Sequence, residues 1–277
     1  MILKILKENF GFEENVILLE SQLLRKSNQP LKAKALLNKR GQELRTSSLI
    51  LEEAFVAKAL GEISSARRKF ISLAKKGFIP AVCFQQIAEC YLDEKKFEDA
   101  KKNYKKALIH SPDSFRIWNK LASIHQKLGE KSKQIKALQK SLSLNPQNYS
   151  TLFTLFKSLV EIGSWVKAYQ LCSRSKGIKI PIEHRLDFSK ACIESGDLKS
   201  AIISLDKLIA SRHEVAEAYF LKGNLMVLMK EFSKAVEYYN QSLEYKEFWS
   251  EALSNLYNSK TFLCDWSDRE KELKHLQ

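Results

Sequence analysis

The sequence is poor in the residues that make turns, with nine Gly and five Pro in 277 residues. Sheet-rich and collagen-like chains use far more of both, and Lys, Leu, Ala, Glu and Ser recur throughout, so the composition points to helix. Cysteine is sparse and unpatterned. Cys83, Cys90, Cys172, Cys192 and Cys264 are odd in number and contain no Cys-x-x-Cys pair, which argues against a disulfide framework or a zinc site and suits a reducing compartment. No run approaches the ~18 uninterrupted apolar residues that span a bilayer. The N-terminal MILKILKENFGF is interrupted by Lys4 and Lys7 and lacks a small-residue cleavage site, so it does not read as a secretory signal. A cytoplasmic chain with no membrane attachment is the expectation.

The signatures of catalysis are missing as well. His110, His125, His184, His213 and His275 stand at no metal-ligand spacing, and there is no His-Glu-x-x-His, Gly-x-Ser-x-Gly or glycine-rich phosphate loop. Hydrolase, kinase and dehydrogenase mechanisms therefore lack their residues. No catalytic residue, metal or cofactor is expected.

What is present is a foldable composition, 44% hydrophobic and 28% charged, with a net charge of +14. The charge is uneven: residues 1–148 hold 28 basic and 15 acidic side chains, whereas residues 216–277 hold 8 and 10. Such asymmetry can mark an acidic partner or nucleic acid.

Internal periodicity organises the rest. Residues 81–114 place Phe84, Ile87, Ala88 and Tyr91 on a first helix and Ala100, Tyr104 and Ala107 on a second, with Pro112 behind it. Small residues at the eighth and twentieth positions let the two helices approach closely, and large ones around them fill the space to the next unit. This pattern resembles the tetratricopeptide repeat (TPR). It recurs at 115–148 (Trp118, Leu121, Ala122, His125, Leu138, Ser141, Pro146), at 149–182 (Leu152, Leu155, Leu159, Ala168, Cys172, Pro181) and at 216–249 (Tyr219, Gly223, Ala235, Tyr239, Ser242). Weaker units fall at 14–46 (Ile17, Leu24, Ala33, Leu37), 47–80 (Ala54, Ala57, Ala66, Phe70) and 182–215 (Ala201, Leu205). Within-unit turns are expected at Gly61, Lys95-Lys96, Gly129, Gly163, Gly196 and Lys230. About seven units over 14–249 thus follow an N-terminal segment, 1–13, and precede a partial eighth unit and junction, 250–277. No domain boundary is expected before about residue 260, since each unit needs its neighbours to bury its faces. The resemblance implies an all-α fold, a right-handed α-solenoid of helix-turn-helix units.

It also implies where a partner binds. TPR ligands lie in the concave groove of the first helices, and the groove positions here are Gln85, Glu89, Arg116, Asn119, Ser123, Phe153, Lys157, Lys190, Phe220, Asn224 and Asn258. That mixture, polar with two exposed aromatics, suits a protein or extended peptide held by side-chain hydrogen bonds and shallow apolar contacts. The class that clamps a terminal carboxylate uses a Lys and an Asn four residues apart. Leu51/Phe55, Gln85/Glu89, Asn119/Ser123, Phe153/Lys157, Leu186/Lys190 and Phe220/Asn224 all depart from it. His125, Cys83 and Cys90 read as packing groups. The stripe Lys101, Lys102, Lys105 and Lys106 falls on the outer face of a second helix with no aromatics interleaved. It reads as solvated surface, and nucleic acid is not the expected partner.

The segment Cys264-Asp265-Trp266-Ser267-Asp268 and the charged stretch after it resemble the junction between the TPR array and the catalytic region of O-GlcNAc transferase (SPINDLY-like) glycosyltransferases. Those are inverting enzymes that use a UDP-sugar, and their catalytic residues would lie beyond Gln277. The eukaryotic members carry an asparagine at the sixth position of successive repeats. Here those positions are Gln86, Lys120, Thr154, Asp187, Leu221 and Asn255, so only the last matches. The resemblance implies an acceptor-binding arm of such an enzyme; the alternative is a free-standing TPR adaptor that assembles a protein complex. Trp266 alone would also serve as a cap on the open end of a solenoid.

Overall fold

The computed structural model describes residues 13–40, 46–175 and 177–264. Every regular element among them is helical: α1 Glu13–Lys26, α2 Pro30–Arg40, α3 Ser47–Ala59, α4 Ile63–Lys75, α5 Pro80–Asp93, α6 Phe97–His110, α7 Phe115–Lys127, α8 Lys131–Leu144, α9 Tyr149–Glu161, α10 Trp165–Ser173, a 3-10 turn Ile182–His184, α11 Arg185–Glu194, α12 Leu198–Ala210, α13 Val215–Leu228, α14 Phe232–Tyr245 and α15 Ser250–Phe262. Within each of two units consecutive helices pack as pairs and neighbouring pairs pack on one another, as in the all-α TPR solenoid. The chain forms two compact units divided between Asn148 and Tyr149, which is the boundary between the 115–148 and 149–182 repeats.

Small residues account for the close pairing. Ala54/Ala66, Ala88/Ala100 and Ser21/Ala33 are all fully buried where two helices of a pair meet in the N-terminal unit, as are Ser189/Ala201 in the C-terminal one. Two pairs depart from the pattern: Gln134 replaces the small residue in α8, and Phe156 replaces it in α9. Phe156 is nonetheless buried to 1% exposure, and its bulk goes with a partner helix, α10, of only nine residues. Proline follows α6 and α8 closely, at Pro112 and Pro146. Pro181 does not end α10, which stops at Ser173, and instead precedes the 3-10 turn. Fully buried Phe70, Tyr104, Phe156 and Tyr239 anchor the cores, each contributing about 2–3 kcal/mol through burial.

The turn inside each pair uses the left-handed conformation at one register position. Asn28, Gly61, Lys95, Gly129, Gly163, Gly196, Lys230 and Cys264 all have positive φ, between 55° and 77°, and follow one another at intervals of 33 or 34 residues. A glycine adopts this conformation without a Cβ clash, while the other residues bear its cost. Cys264 therefore stands where the repeat register puts a within-pair turn, and α15 occupies the register of a first helix. Asp265 and Trp266 lie outside the described residues.

Buried serines fix the pairs further. Ser141 donates its hydroxyl to the Phe115 carbonyl at 2.9 Å and Ser242 to the Ala216 carbonyl at 3.0 Å, at equivalent places in the two units. Burial raises the thiols of Cys83 and Cys90 to about 11 and those of Cys172 and Cys192 to about 12. All four are packing groups; Cys264 is exposed.

Candidate functional site

In the N-terminal unit the first helices α1, α3 and α5 are joined side chain to side chain. Arg25 of α1 donates to both carboxylate oxygens of Glu52 of α3, at 2.8 and 3.2 Å, and Ser21 adds a third bond at 3.4 Å. Glu52 is buried to 3% exposure. Lys58 of α3 reaches Glu89 at 2.6 Å and Gln86 at 3.0 Å on α5. Gln85 donates to the same Glu89 at 3.5 Å. Gln85 and Glu89 are thus brought together, but Glu89 is neutralised by Lys58 within the chain. On α7, Arg116 and Ser123 are exposed and Asn119 is half-buried.

The second helices are tied in the same way. Glu130 accepts from Lys133 at 2.8 Å, from a ring nitrogen of His125 and from Lys101 at 3.4 Å. Lys133 first, then His125, hold its carboxyl down at about 2. His125 is a buried packing residue, as its place in the repeat suggests, but a hydrogen-bonded one. Lys101 corrects the expectation of a solvated stripe: its side chain is only 12% exposed and bridges to Glu98 and Glu130.

The C-terminal unit uses aromatics and amides instead. Phe153 of α9 stacks on His184 with centroids 5.0 Å apart, and Phe220 of α13 lies 4.5 Å from Trp249 and 5.9 Å from Tyr239. Both phenylalanines are half-buried, contrary to their reading as exposed groove aromatics, because these rings cover them. Lys157 is exposed and Lys190 half-buried.

Asn224 of α13 accepts from the Tyr239 hydroxyl at 2.7 Å and from the Asn255 amide at 3.0 Å. Neither bond uses its amide nitrogen, a donor of the kind that meets a peptide carbonyl. Asn224 lines a hollow of about 770 Å³ together with Val227, Leu228, Asn255, Asn258 and Phe262. Leu228 and Phe262 are 62% and 68% exposed, so apolar surface stands beside the amides. The sequence pattern held a signal for these two residues. They occupy the register position filled by Ala59, Asp93, Lys127, Glu161 and Glu194 in earlier repeats, and the change to large apolar side chains occurs only in the last two.

The comparisons with known proteins agree with this geometry. A family profile described as tetratricopeptide repeat matches residues 81–108, 115–148 and 216–248. The chain carries tetratricopeptide repeats. Among solved structures the chain is similar to a chain of the Naa15/Naa10 complex bound to HypK-THB, with TM-score 0.60 and 18% identity over 88% of this chain and 38% of that one. The C-terminal part of a TPR protein from Cytophaga hutchinsonii aligns with TM-score 0.59 and 15% identity over 86% and 99%. YrrB, a TPR protein with an unusual peptide-binding site, aligns with TM-score 0.55 and 16% identity over 67% and 96%. At such identities these likenesses show the TPR fold. The chain spans 38% of the Naa15-complex chain it matches. No curated protein sequence matches it. Among the described residues no helix is long and apolar enough to cross a membrane, and no cluster of His, Cys, Asp and Glu could hold a metal ion.

Proposed function

We propose that this TPR chain is a protein-interaction scaffold that holds an extended segment of a partner protein along its first helices, and that the hollow between α13 and α15 is the principal contact. The carrying observation is the pairing, in one recess, of the exposed Asn258 and the oriented Asn224 with exposed Leu228 and Phe262. Amides supply donors and acceptors for a peptide backbone, and covering each apolar side chain adds about 1–2 kcal/mol. The remaining first-helix candidates contribute less, because Glu89, Phe153 and Phe220 are engaged within the chain. That YrrB has a peptide-binding site supports the reading by likeness of fold.

Selection from a displayed random-peptide library on the intact chain tests it. Peptides recovered should lose at least about tenfold in affinity on Asn258→Ala combined with Leu228→Ser. Selected peptides that bind that variant unchanged would overturn the placement.

The narrower reading, an acceptor-binding arm of an O-GlcNAc-transferase-like enzyme, rests on Cys264-Asp265-Trp266. Its test is the reading frame downstream of Gln277, which on that reading encodes a two-lobed glycosyltransferase region. A stop codon there with a folded product supports the adaptor reading.

A further inference from the structure

The outer, second-helix face of the N-terminal unit carries two adjoining hollows that the groove reading does not use. One, of about 540 Å³, lies between α6 and α8; the other, of about 640 Å³, lies between α4 and α6. Their floors are apolar: Leu108, Trp118 and Leu121 in the first, Ile71, Ile87 and Tyr91 in the second. Their rims are mainly basic, with Lys105, Lys133, Lys136 and Lys140 around the first and Lys75, Lys102, Lys105 and Lys106 around the second, where Asp99 stands 3.9 Å from Lys102. Lys105 lines both, so the two form one continuous strip across α6.

Helical spacing accounts for the rim. Lys102, Lys105, Lys106 and Ile109 recur at intervals of three or four on α6, and Lys133, Lys136 and Lys140 do the same on α8, which contains no acidic residue at all. Elsewhere in this unit lysines are met by carboxylates, as in Lys58–Glu89 and Lys101–Glu130. Among the described residues Lys75, Lys105, Lys136 and Lys140 have no such ion pair and are exposed. Ile109, 75% exposed at the edge of the first hollow, adds uncovered apolar surface to the basic rim.

A solvated face would need the lysines but not the apolar recesses beneath them. Single-stranded nucleic acid would need rings free to stack, whereas here Phe84 lies beneath His110 and Lys106 and the Trp118 indole is fixed to the Pro112 carbonyl at 2.9 Å. An anionic membrane would meet hollows in place of a protruding apolar wedge. We propose that this face binds an acidic, amphipathic protein segment, its apolar side chains entering the two hollows and its carboxylates meeting the lysine rim. Charge complementarity sets the encounter and the hollows set the register. This surface is formed by the second helices of the N-terminal unit and is independent of the α13–α15 hollow, so the chain would hold two partner segments, or two parts of one.

The test uses a fluorescein-labelled peptide with Leu and Glu at helical spacing, titrated against the full chain. Binding should weaken by at least about tenfold on the triple reversal Lys105→Glu, Lys136→Glu and Lys140→Glu, and should fall as salt rises. It should also weaken by about threefold or more when the peptide's Leu residues are changed to Ser, or on Ile109→Ser in the chain. The α13–α15 variant, Asn258→Ala with Leu228→Ser, should bind this peptide unchanged, which separates failure here from failure of the groove reading. Circular dichroism checks that each variant is folded, and the Lys→Gln triple stands in if the reversal is not. Peptide binding indifferent to the lysines, or equal binding of the Ser peptide, overturns the proposal. So does tighter lysine-dependent binding of single-stranded RNA or of vesicles of phosphatidylcholine and phosphatidylserine.

Discussion

The two compact units share one helix-pair plan and hold their pairs together by different chemistry. In the N-terminal unit a base on one pair reaches an acid on the next, repeatedly: Arg25–Glu52, Lys34–Glu62, Lys58–Glu89, Arg67–Glu94 and Lys101–Glu130. In the C-terminal unit one such ion pair, Lys222–Asp206, stands beside links of another kind: Phe153–His184, Phe220–Trp249, Tyr169–Asp197 and Asn224–Asn255. Charge follows the same division. Of 46 basic and 32 acidic residues, 28 and 15 lie in residues 1–148, leaving 18 and 17 for the rest, or +13 against +1. The lesson is that a repeat register fixes where neighbouring units touch without fixing how. With those five acids committed to forward ion pairs, Lys75, Lys105, Lys136 and Lys140 have no ion pair among the described residues, and they stand on the second-helix face.

The largest break in the comparison should come at Arg25. Its guanidinium compensates Glu52, which is buried to 3% exposure, and removing one partner of a buried pair strands the other charge. Arg25→Ala should cost about 3 kcal/mol in urea unfolding, with much of the loss recovered when Glu52→Gln is added. A cost near zero would mean that the ion-pair ladder contributes little and that the units differ only in appearance.

Next comes Gly223, the counterpart in α13 of Ala54, Ala88 and Ala122 in the N-terminal unit. A Cβ at Gly223 would stand 2.5 Å from the Tyr239 ring, so Gly223→Ala should destabilise by about 2 kcal/mol through overpacking. Ala88→Gly, at the same register position, should cost only about 1 kcal/mol as a helix-propensity loss. Equal effects would show that the ring of α14 yields easily and that pairing is no tighter there.

Much of this plan was legible in the sequence. Ala and Gly at the eighth position, Ala at the twentieth and the glycines at Gly61, Gly129, Gly163 and Gly196 encode helix pairs through elementary sterics, and the structure places turns there. Less visible were the side chains whose roles depend on reach. Nothing in the spacing shows that Lys101 bends back to Glu130 or that Phe220 is covered by Trp249, since long and planar side chains choose among several neighbours. Cys264 drew attention as part of a family junction, yet its left-handed φ of 55° is what its register position requires. Leu228 and Phe262 could have been found by comparing one register position along the chain; reading each repeat separately conceals them.

Two equivalent tyrosines allow a finer comparison. The Tyr239 hydroxyl donates to Asn224 at 2.7 Å, while the buried Tyr104 hydroxyl has no partner among the described residues. Tyr239→Phe should therefore lose about 1 kcal/mol and free Asn224, whereas Tyr104→Phe should be neutral or stabilising by up to about 1 kcal/mol. Parallel thermal melts of the two variants decide this; a matching loss in both would mean that Tyr104 is satisfied after all and that the polar cores of the two units are alike.

The smallest effect tests what the units have in common. Lys95 and Lys230 hold the within-pair turn at φ 58° and 59°, where four other repeats use glycine. Both are exposed, so replacement removes no buried contact. A left-handed residue with a Cβ is strained by about 1–2 kcal/mol, and glycine returns part of that gain by loosening the unfolded chain. Lys95→Gly and Lys230→Gly should each stabilise by about 0.5–1 kcal/mol, equally in the ion-paired unit and in the aromatic one, because the strain is local to the turn. Unequal gains would show that the chemistry between pairs reaches into the turns, and that the register is not independent of the links built on it.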